Sequence, residues 1–330
     1  PERNICCASR RRHTRCLSDW SSDVCSSDLI RDRIIKKENI DIVHLNQLIP
    51  VIDQFFIKKI KKKSKIIITV HDVIPPVKSL YWSFKSLYKI YKNANYLIVH
   101  TKKNYDELVE IFKIDKNKVM IIPHGVEIDN SKISAEDSKS YLNTKDDKKY
   151  VLFFGAIRES KGLDILIQAM QGLENVGLII AGNTMQGENF KEYEKMIAAN
   201  NIDAICHIRY IEEEEIPLFF KASDLLVLPY KEFYSQSGVL MQAITYKLPV
   251  LATTEGGMSE IIDCYGVGEV CDSNNIQALK QSIVKVINNA DKLDKYKQNM
   301  KRAYNEMEWK AVGKQYKDVY LKMKNVGGKL

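Results

Sequence analysis

The chain lacks any apolar run near the roughly 18 residues that a bilayer crossing needs. Its start also lacks the apolar core of a secretory signal. A soluble or peripherally attached protein is therefore expected. Cysteine is sparse and unpatterned. There are seven in 330 residues, four of them within the first 25, and no pair at metal-ligand spacing is matched by a second. That argues against a zinc module and fits a reduced cytoplasmic compartment. No Gly-x-Gly-x-x-Gly string follows a strand, and no acidic residue stands at the ribose position, which argues against a dinucleotide-dependent dehydrogenase. RNA-binding signatures and zinc-finger spacings are missing too. The formal net charge of +8 suits an anionic small-molecule or lipid partner, and nucleic acid is not expected.

What is present is enough apolar residue, 45%, for globular cores, over a length that accommodates two α/β domains. Residues 1–29 carry clustered Arg, Ser, Asp and Cys without a helical or strand period. They resemble a translated sequencing adapter more than a protein element. They are expected to be a non-native or disordered leader, with no strand before Ile30. From Ile30 the composition shifts to Lys, Ile, Asn and Tyr, and apolar runs alternate with amphipathic stretches. The runs at 40–45, 65–73, 95–101 and 119–126 read as strands, and 50–63 and 102–113 as helices. Residues 134–149 are polar and read as a linker. A second series then alternates strands at 150–156, 176–182, 205–211, 224–230 and 249–254 with helices. Such alternation means βαβ units and parallel sheets, with ligands bound beyond the carboxyl ends of the strands.

Two strings in the second series carry chemistry. In FFGAIRESKGLDILIQA a strand ends at Gly155, and Arg158 and Lys161 flank the following loop. Fixed cations there can neutralise the charge that grows on a departing diphosphate. The plain alternative is a solvated loop with surface cations. In LPYKEFYSQSGVLMQAITYKLPVLATTEGGMSEII a strand ends at Pro229-Tyr230, and a helix starts at Ser237-Gly238. The amides of Ser237, Gly238 and Val239 would form an anion site there. The alternative is an ordinary capped helix. Gln242 lies one turn further on.

Together these strings resemble the C-terminal domain of glycosyltransferase family 4, from about Asp41 to the C-terminus and most strongly over 150–262. The resemblance implies an α/β protein of GT-B fold, with two Rossmann-like domains facing a cleft and retention at the anomeric carbon. The N-terminal domain is expected to be incomplete, by about 60 to 80 residues relative to a usual domain. The implied division is a leader 1–29, an acceptor-side domain 30–133, a linker 134–149, a nucleotide-sugar domain 150–300, and a segment 301–330 packing back on the first domain. Trp309 is its expected packing anchor.

Residue by residue, the resemblance puts the donor diphosphate on Gly155, Arg158, Lys161, Ser237, Gly238 and Val239, and the nucleoside beside Tyr210, Ile211 and Gln242. His71, in ITVHDVIPP, becomes the catalytic candidate, with a buried structural histidine as the alternative. His44, Asp72 and His124 become acceptor-side candidates, His124 mainly structural. The sequence departs from the family at Ala156, where an Arg is common, and at Gln242, where a Glu is usual. Tyr234 stands where the first glutamate of the family's pair would lie, and Glu232 is out of register.

The implied reaction moves a hexose from an NDP-sugar to a hydroxyl of a saccharide or lipid-linked acceptor, in cell-envelope or exopolysaccharide synthesis. No Asp-x-Asp string sits in a suitable loop, so no metal or other cofactor is expected, and Arg158 and Lys161 serve instead. A nucleotide-binding pseudoenzyme or partner module and a nucleotide-sugar epimerase are the rivals. Weak or absent turnover is expected of the truncated chain. The Lys-rich run 50–65 reads either as a dock on the inner face of the cell membrane or, preferably, as a core helix with a solvated Lys face.

Overall fold

The computed structural model describes residues 5–8, 40–46, 48–74, 83–185, 188–232 and 237–325. They form two compact units. The first comprises residues 1–123 and 314–330, and the second residues 124–313.

The first unit is built on a five-stranded, wholly parallel sheet in the order β1 (Ile5–Ala8), β2 (Ile42–Leu45), β3 (Lys65–Thr69), β4 (Tyr96–Val99), β5 (Val119–Ile121). Between the strands run α1 (Pro50–Lys61), α2 (Phe84–Asn93) and α3 (Lys102–Glu110). A sheet whose strands add in sequence order, each by a right-handed crossover, collects its crossover helices on one face. The core reflects this. Val43, Leu45, Ile66, Ile68, Leu97 and Val99 pack with Ile57, Ile60, Leu87, Ile90, Leu108 and Phe112. Ser83 and Thr101 start α2 and α3 by accepting from the amides of Ser86 and Asn104.

Strand β1 corrects the expectation of a structureless leader. Ile5-Cys6-Cys7-Ala8 pairs in parallel with Ile42–Leu45. Cysteine behaves as a small apolar residue, so four such residues suffice for an edge strand, and the polar surroundings concealed them. The remainder of the expected leader, residues 1–4 and 9–29, lies outside the described residues.

In the second unit α4 (Ala135–Leu142) precedes a six-stranded parallel sheet. In chain order come β6 (Lys149–Phe154), α5 (Leu163–Met170), β7 (Val176–Ala181), α6 (Phe190–Ala199), β8 (Ala204–His207), α7 (Ile216–Lys221), β9 (Leu225–Leu228), α8 (Gly238–Tyr246), β10 (Val250–Thr253), α9 (Met258–Tyr265), β11 (Gly268–Cys271), α10 (Ile276–Ile287) and α11 (Ala290–Met307). Residues 134–149, expected as a linker, thus hold a helix. Ser134 and Asp137 form a reciprocal capping box, and Asn143 ends α4 in the left-handed conformation. The strand order is β11-β10-β9-β6-β7-β8. Winding reverses between β6 and β9, and that switch point is where open α/β sheets leave a crevice.

Both faces of this sheet are covered. Val151 and Phe153 of β6 join α5 and α10 in one cluster, while Tyr150 and Leu152 join α8, α9 and α11 in the other. Burial on both faces accounts for the unbroken apolar reading of β6 and β7. Each such side chain contributes about 1.5–3 kcal/mol.

The last helix, α12 (Trp309–Asn325), begins in the second unit and ends in the first. Among the described residues no helix is long and apolar enough to cross a membrane.

Candidate active site

The switch point assembles three stretches of the second unit. β6 ends at Phe154 and the chain turns at Gly155 with φ +106°. A Cβ on Gly155 would approach Val239 Cγ2 to 3.3 Å, so this turn abuts the first turn of α8. The neighbouring strand end is equally close. A Cβ on Gly182 would lie 1.9 Å from the Gly155 carbonyl oxygen.

Beyond Gly155 a short 3₁₀ turn, Glu159–Lys161, stops at Gly162 with φ +69°. A Cβ there would strike the Pro229 carbonyl oxygen at 1.9 Å, so only glycine lets the loop approach the end of β9. The Lys231 amide donates to the Ser160 carbonyl at 3.0 Å, and the Lys231 ammonium pairs with Asp164 at 2.8 Å. This closure brings Lys161 Nζ to 3.5 Å from the centre of the Tyr230 ring. Tyr230 is buried, and its hydroxyl lies 3.1 Å from Ser237 Oγ. Thr253 Oγ1 donates to the Tyr230 carbonyl at 2.7 Å.

Ser237 caps α8, accepting from the Leu240 amide at 3.4 Å. Helix geometry gives the first amides, including those of Gly238 and Val239, no carbonyl within the helix. They end the dipole at its positive pole. Gly155, Lys161 and Ser237–Val239 are therefore one group, and the Arg158 charge acts on both Lys161 and Tyr230. Lys161 touches Tyr230, Tyr230 touches Ser237, and Gly155 touches Val239. Burial first, and then the Arg158 charge, hold the Lys161 ammonium down at about 7. Burial raises the Tyr230 phenol to about 12, so it keeps its proton.

Gln242 lies one turn along α8. Its Oε1 is buried and has no hydrogen-bond partner among the described residues. Tyr210 is exposed, whereas Ile211 is part of the apolar core. Both lie past the end of β8, which stops at His207, short of the strand expected over 205–211. There Arg209 leaves the sheet to clasp Glu215 through two bonds of 2.6 and 2.5 Å. Tyr234 lies outside the described residues.

In the first unit, His71 and Asp72 follow β3. His71 is exposed, and its Nδ1 lies 3.3 Å from Nε2 of His100. Asn104 Nδ2 donates to the His71 carbonyl at 3.0 Å. Asp72 is half-buried. Its Oδ1 has no partner among the described residues, and burial, then Glu107, raises its pKa.

His44 does not fit its acceptor-side assignment. It is 2% exposed, with Nδ1 at 2.7 Å from Tyr320 Oη and Nε2 at 2.8 Å from Thr69 Oγ1. Both ring nitrogens are engaged inside the unit, and burial lowers its pKa to about 4. In the second unit, His124 bonds the Gly125 carbonyl through Nδ1 at 2.8 Å and leans on Trp309. Trp309 in turn covers Gly125, where a Cβ would come within 2.4 Å of the indole, and donates from Nε1 to Glu127 at 2.9 Å.

Sequence reasoning missed Tyr230, Gly182 and His100. Tyr230 and Gly182 stand at strand ends, a place that could have marked them. Nothing local singles out His100 as the partner of His71. Among the described residues no three His, Cys, Asp or Glu side chains are grouped to hold a metal ion.

Comparison with known proteins places this architecture. A model described as Glycosyl transferases group 1 matches residues 134–303, and one described as Glycosyltransferase Family 4 matches residues 23–130. A glycosyltransferase of Methanocaldococcus jannaschii is 26% identical over 301 residues, 88% of this chain and 78% of the relative. The O-antigen chain mannosyltransferase C of Escherichia coli is 23% identical over 273 residues, 82% of this chain and 72% of the relative. Among solved structures, Anabaena HepE in complex with UDP superposes with a TM-score of 0.77 at 17% identity, over 88% of this chain and 81% of that one. A Rickettsia africae glycosyltransferase superposes with a TM-score of 0.75 at 20% identity, over 96% and 84%. With the group 1 model spanning just over half of the 330 residues, and two parallel α/β units that share their fold with GT-B enzymes, the chain belongs to the group 1 glycosyltransferases of family 4.

Proposed function

We propose that the protein transfers a hexose from a nucleoside-diphosphate sugar to a hydroxyl acceptor, with retention at the anomeric carbon. The diphosphate is held by Arg158, Lys161 and the opening amides of α8. The observation that carries this reading is the chain of contacts Lys161–Tyr230–Ser237, which sets a cation and a helix start side by side at the switch point. As the glycosidic bond breaks, charge grows on the leaving diphosphate, and pre-placed donors stabilise it most at that moment. Arg158 and Lys161 take the part that a metal plays elsewhere. A buried amide oxygen without a donor costs about 1–3 kcal/mol. A ribose hydroxyl donating to Gln242 Oε1 would recover it. The base then lies toward Tyr210, whose ring is exposed. HepE has been solved with UDP and with UDP-glucose, which supports a nucleotide sugar as donor.

The acceptor is read as a saccharide or lipid-linked hydroxyl, met by His71 and Asp72. Peripheral attachment at the inner face of the cell membrane belongs to the same reading. α1 exposes Val51 and Phe55 ahead of Lys58, Lys59 and Lys62, and α2 exposes Phe84 and Tyr88 beside Lys85 and Lys92. Aromatic and basic side chains together suit an anionic lipid surface.

A second reading, nucleotide binding without turnover, is favoured by Ala156 and Gln242, which replace the usual Arg and Glu.

The test is a thermal-shift screen of UDP-, GDP-, ADP- and TDP-sugars on the chain and on Lys161→Met, followed by transfer and donor-hydrolysis assays. One donor should stabilise the native chain and not the variant. Stabilisation by none of the four, or equal stabilisation of both proteins, would overturn the diphosphate site. Binding with neither transfer nor hydrolysis would favour the second reading.

A further inference from the structure

Lys231 follows the carboxyl end of β9 and reaches across to the loop that carries Lys161. Three contacts hold the two together. Its amide donates to the Ser160 carbonyl at 3.0 Å, inside the 3₁₀ turn. Its ammonium lies 2.8 Å from Asp164 Oδ2, in the first turn of α5 and 67 residues away in sequence. Its stem covers Gly162, where a Cβ would come 3.6 Å from Lys231 Cγ. The side chains of the ion pair are 21% and 30% exposed, so solvent and salt screen it less than a pair on the open surface. The other oxygen of Asp164 is buried and has no hydrogen-bond partner among the described residues. A carboxylate held this way is costly, and Lys231, with the positive end of α5, offsets that cost.

The loop ahead of the turn needs no such side chain. The Ile157 amide donates to the Asn183 carbonyl at 2.9 Å, and the Ile157 carbonyl accepts from the Met185 amide at 3.0 Å. Within the turn, the amides of Lys161 and Gly162 donate to the carbonyls of Arg158 and Glu159, which closes the turn on itself. The Glu159 amide donates to Glu188 at 2.7 Å, on the side of β7. Lys231 supplies the tie on the side of β9, where Tyr230 lies under Lys161.

We propose that Lys231 is a positioning residue: its pair with Asp164 and its amide bond to Ser160 hold the turn against the end of β9 and so fix where the Lys161 ammonium meets the donor diphosphate. The inference rests on the reading of Lys161 as a diphosphate ligand, but it makes a separate claim about what holds the turn.

The experiment reads the two claims apart. Affinities for UDP, GDP, ADP and TDP are titrated in the native chain, Lys231→Met, Lys231→Gln, Lys231→Arg, Asp164→Asn, Lys161→Met and the double variant Lys231→Met/Lys161→Met. Amide hydrogen exchange at residues 161 and 162 is followed in the same proteins. Lys231→Met and Asp164→Asn should each weaken the diphosphate that the native chain binds by about tenfold and speed exchange at both amides. Lys231→Gln keeps a donor without the charge and should fall between these and the native chain. Lys231→Arg keeps the pair and should stay within about twofold of native. In the Lys161→Met background, removing Lys231 should cost no further affinity, because Lys231 acts through Lys161. Were Lys231 itself a diphosphate ligand, Asp164→Asn would free its ammonium and leave affinity unchanged or raised. That result overturns the inference, as does an additive loss in the double variant, or exchange indifferent to Lys231→Met and Asp164→Asn. If Lys231→Met does not fold, Lys231→Gln and Asp164→Asn decide. If none of the four diphosphates binds, the reading of Lys161 fails, and exchange alone still upholds or overturns the hold of Lys231 on the turn.

Discussion

With Lys161 on the donor diphosphate as proposed, donor binding depends on pH in a calculable way. Its ammonium sits at about 7, because it is buried and faces Arg158. A diphosphate placed beside it returns the value toward the ordinary lysine range of about 10. Binding therefore takes up a proton at every pH between the two. By linkage, affinity is greatest when Lys161 is already charged and falls about tenfold per unit above its free value. From about pH 6 to about pH 8 the loss is roughly tenfold, and by about pH 9 roughly a hundredfold, or about 2.7 kcal/mol. The assay is calorimetric titration with a nucleotide-sugar, whose diphosphate carries no group that titrates in this window. Buffers of different ionisation enthalpy would count the proton. Lys161→Arg stays charged throughout, so its affinity should be flat over the same range. A flat native profile, or the native slope persisting in Lys161→Arg, would refute the reasoning.

Three further outcomes follow from the geometry. A Cβ on Gly238 meets nothing within 4 Å, so Gly238→Ala should leave thermal stability unchanged or raised, yet weaken donor binding about tenfold by intruding where a phosphate approaches; unchanged affinity in a titration would remove the phosphate from that spot. The folded-state pKa of His44, about 4, lies below the ordinary value. Stability is therefore whole above about pH 6.5 and drains as pH falls toward 4, by about 2 kcal/mol at pH 5. Urea midpoints should show that slope in the native chain and not in His44→Gln. Gly313 lies within α12 with open space around its Cβ position, so Gly313→Ala should raise the unfolding midpoint by about 0.5–1 kcal/mol equivalent; a lowered midpoint would mean the helix needs glycine there.

The second unit was legible because its strands are buried on both faces. Tyr150–Phe154 and Val176–Ala181 read as apolar runs ending in glycine, and glycine is what their carboxyl ends require. Arg158, Lys161 and Ser237–Val239 were placed from the same punctuation. What the sequence hid was set by contacts distant along the chain. Ile5–Ala8 becomes a strand only by pairing with Ile42–Leu45. His44 and His71 look alike in sequence, each closing an apolar run. One is taken up by Thr69 and Tyr320, far apart in the chain, and the other is left exposed. The helix at Ala135–Leu142 was masked by polar composition, although Ser134 and Asp137 stand at capping-box spacing. The strand order that creates the switch point is written in no local segment.

The two passages of the chain through the border of the second unit run side by side. The Val126 amide donates to the Met307 carbonyl at 2.8 Å, Val126 and Glu308 form a parallel bridge, and Trp309 lies across Gly125. Residues 124–313 are thus tied off at their own base, like a pouch closed by a drawstring. Topologically they are an insert within the first unit, whose chain resumes at Lys314. Domains with neighbouring ends tolerate excision and permutation. Residues 124–313, which carry the switch-point crevice, are therefore expected to fold when cut out and expressed alone.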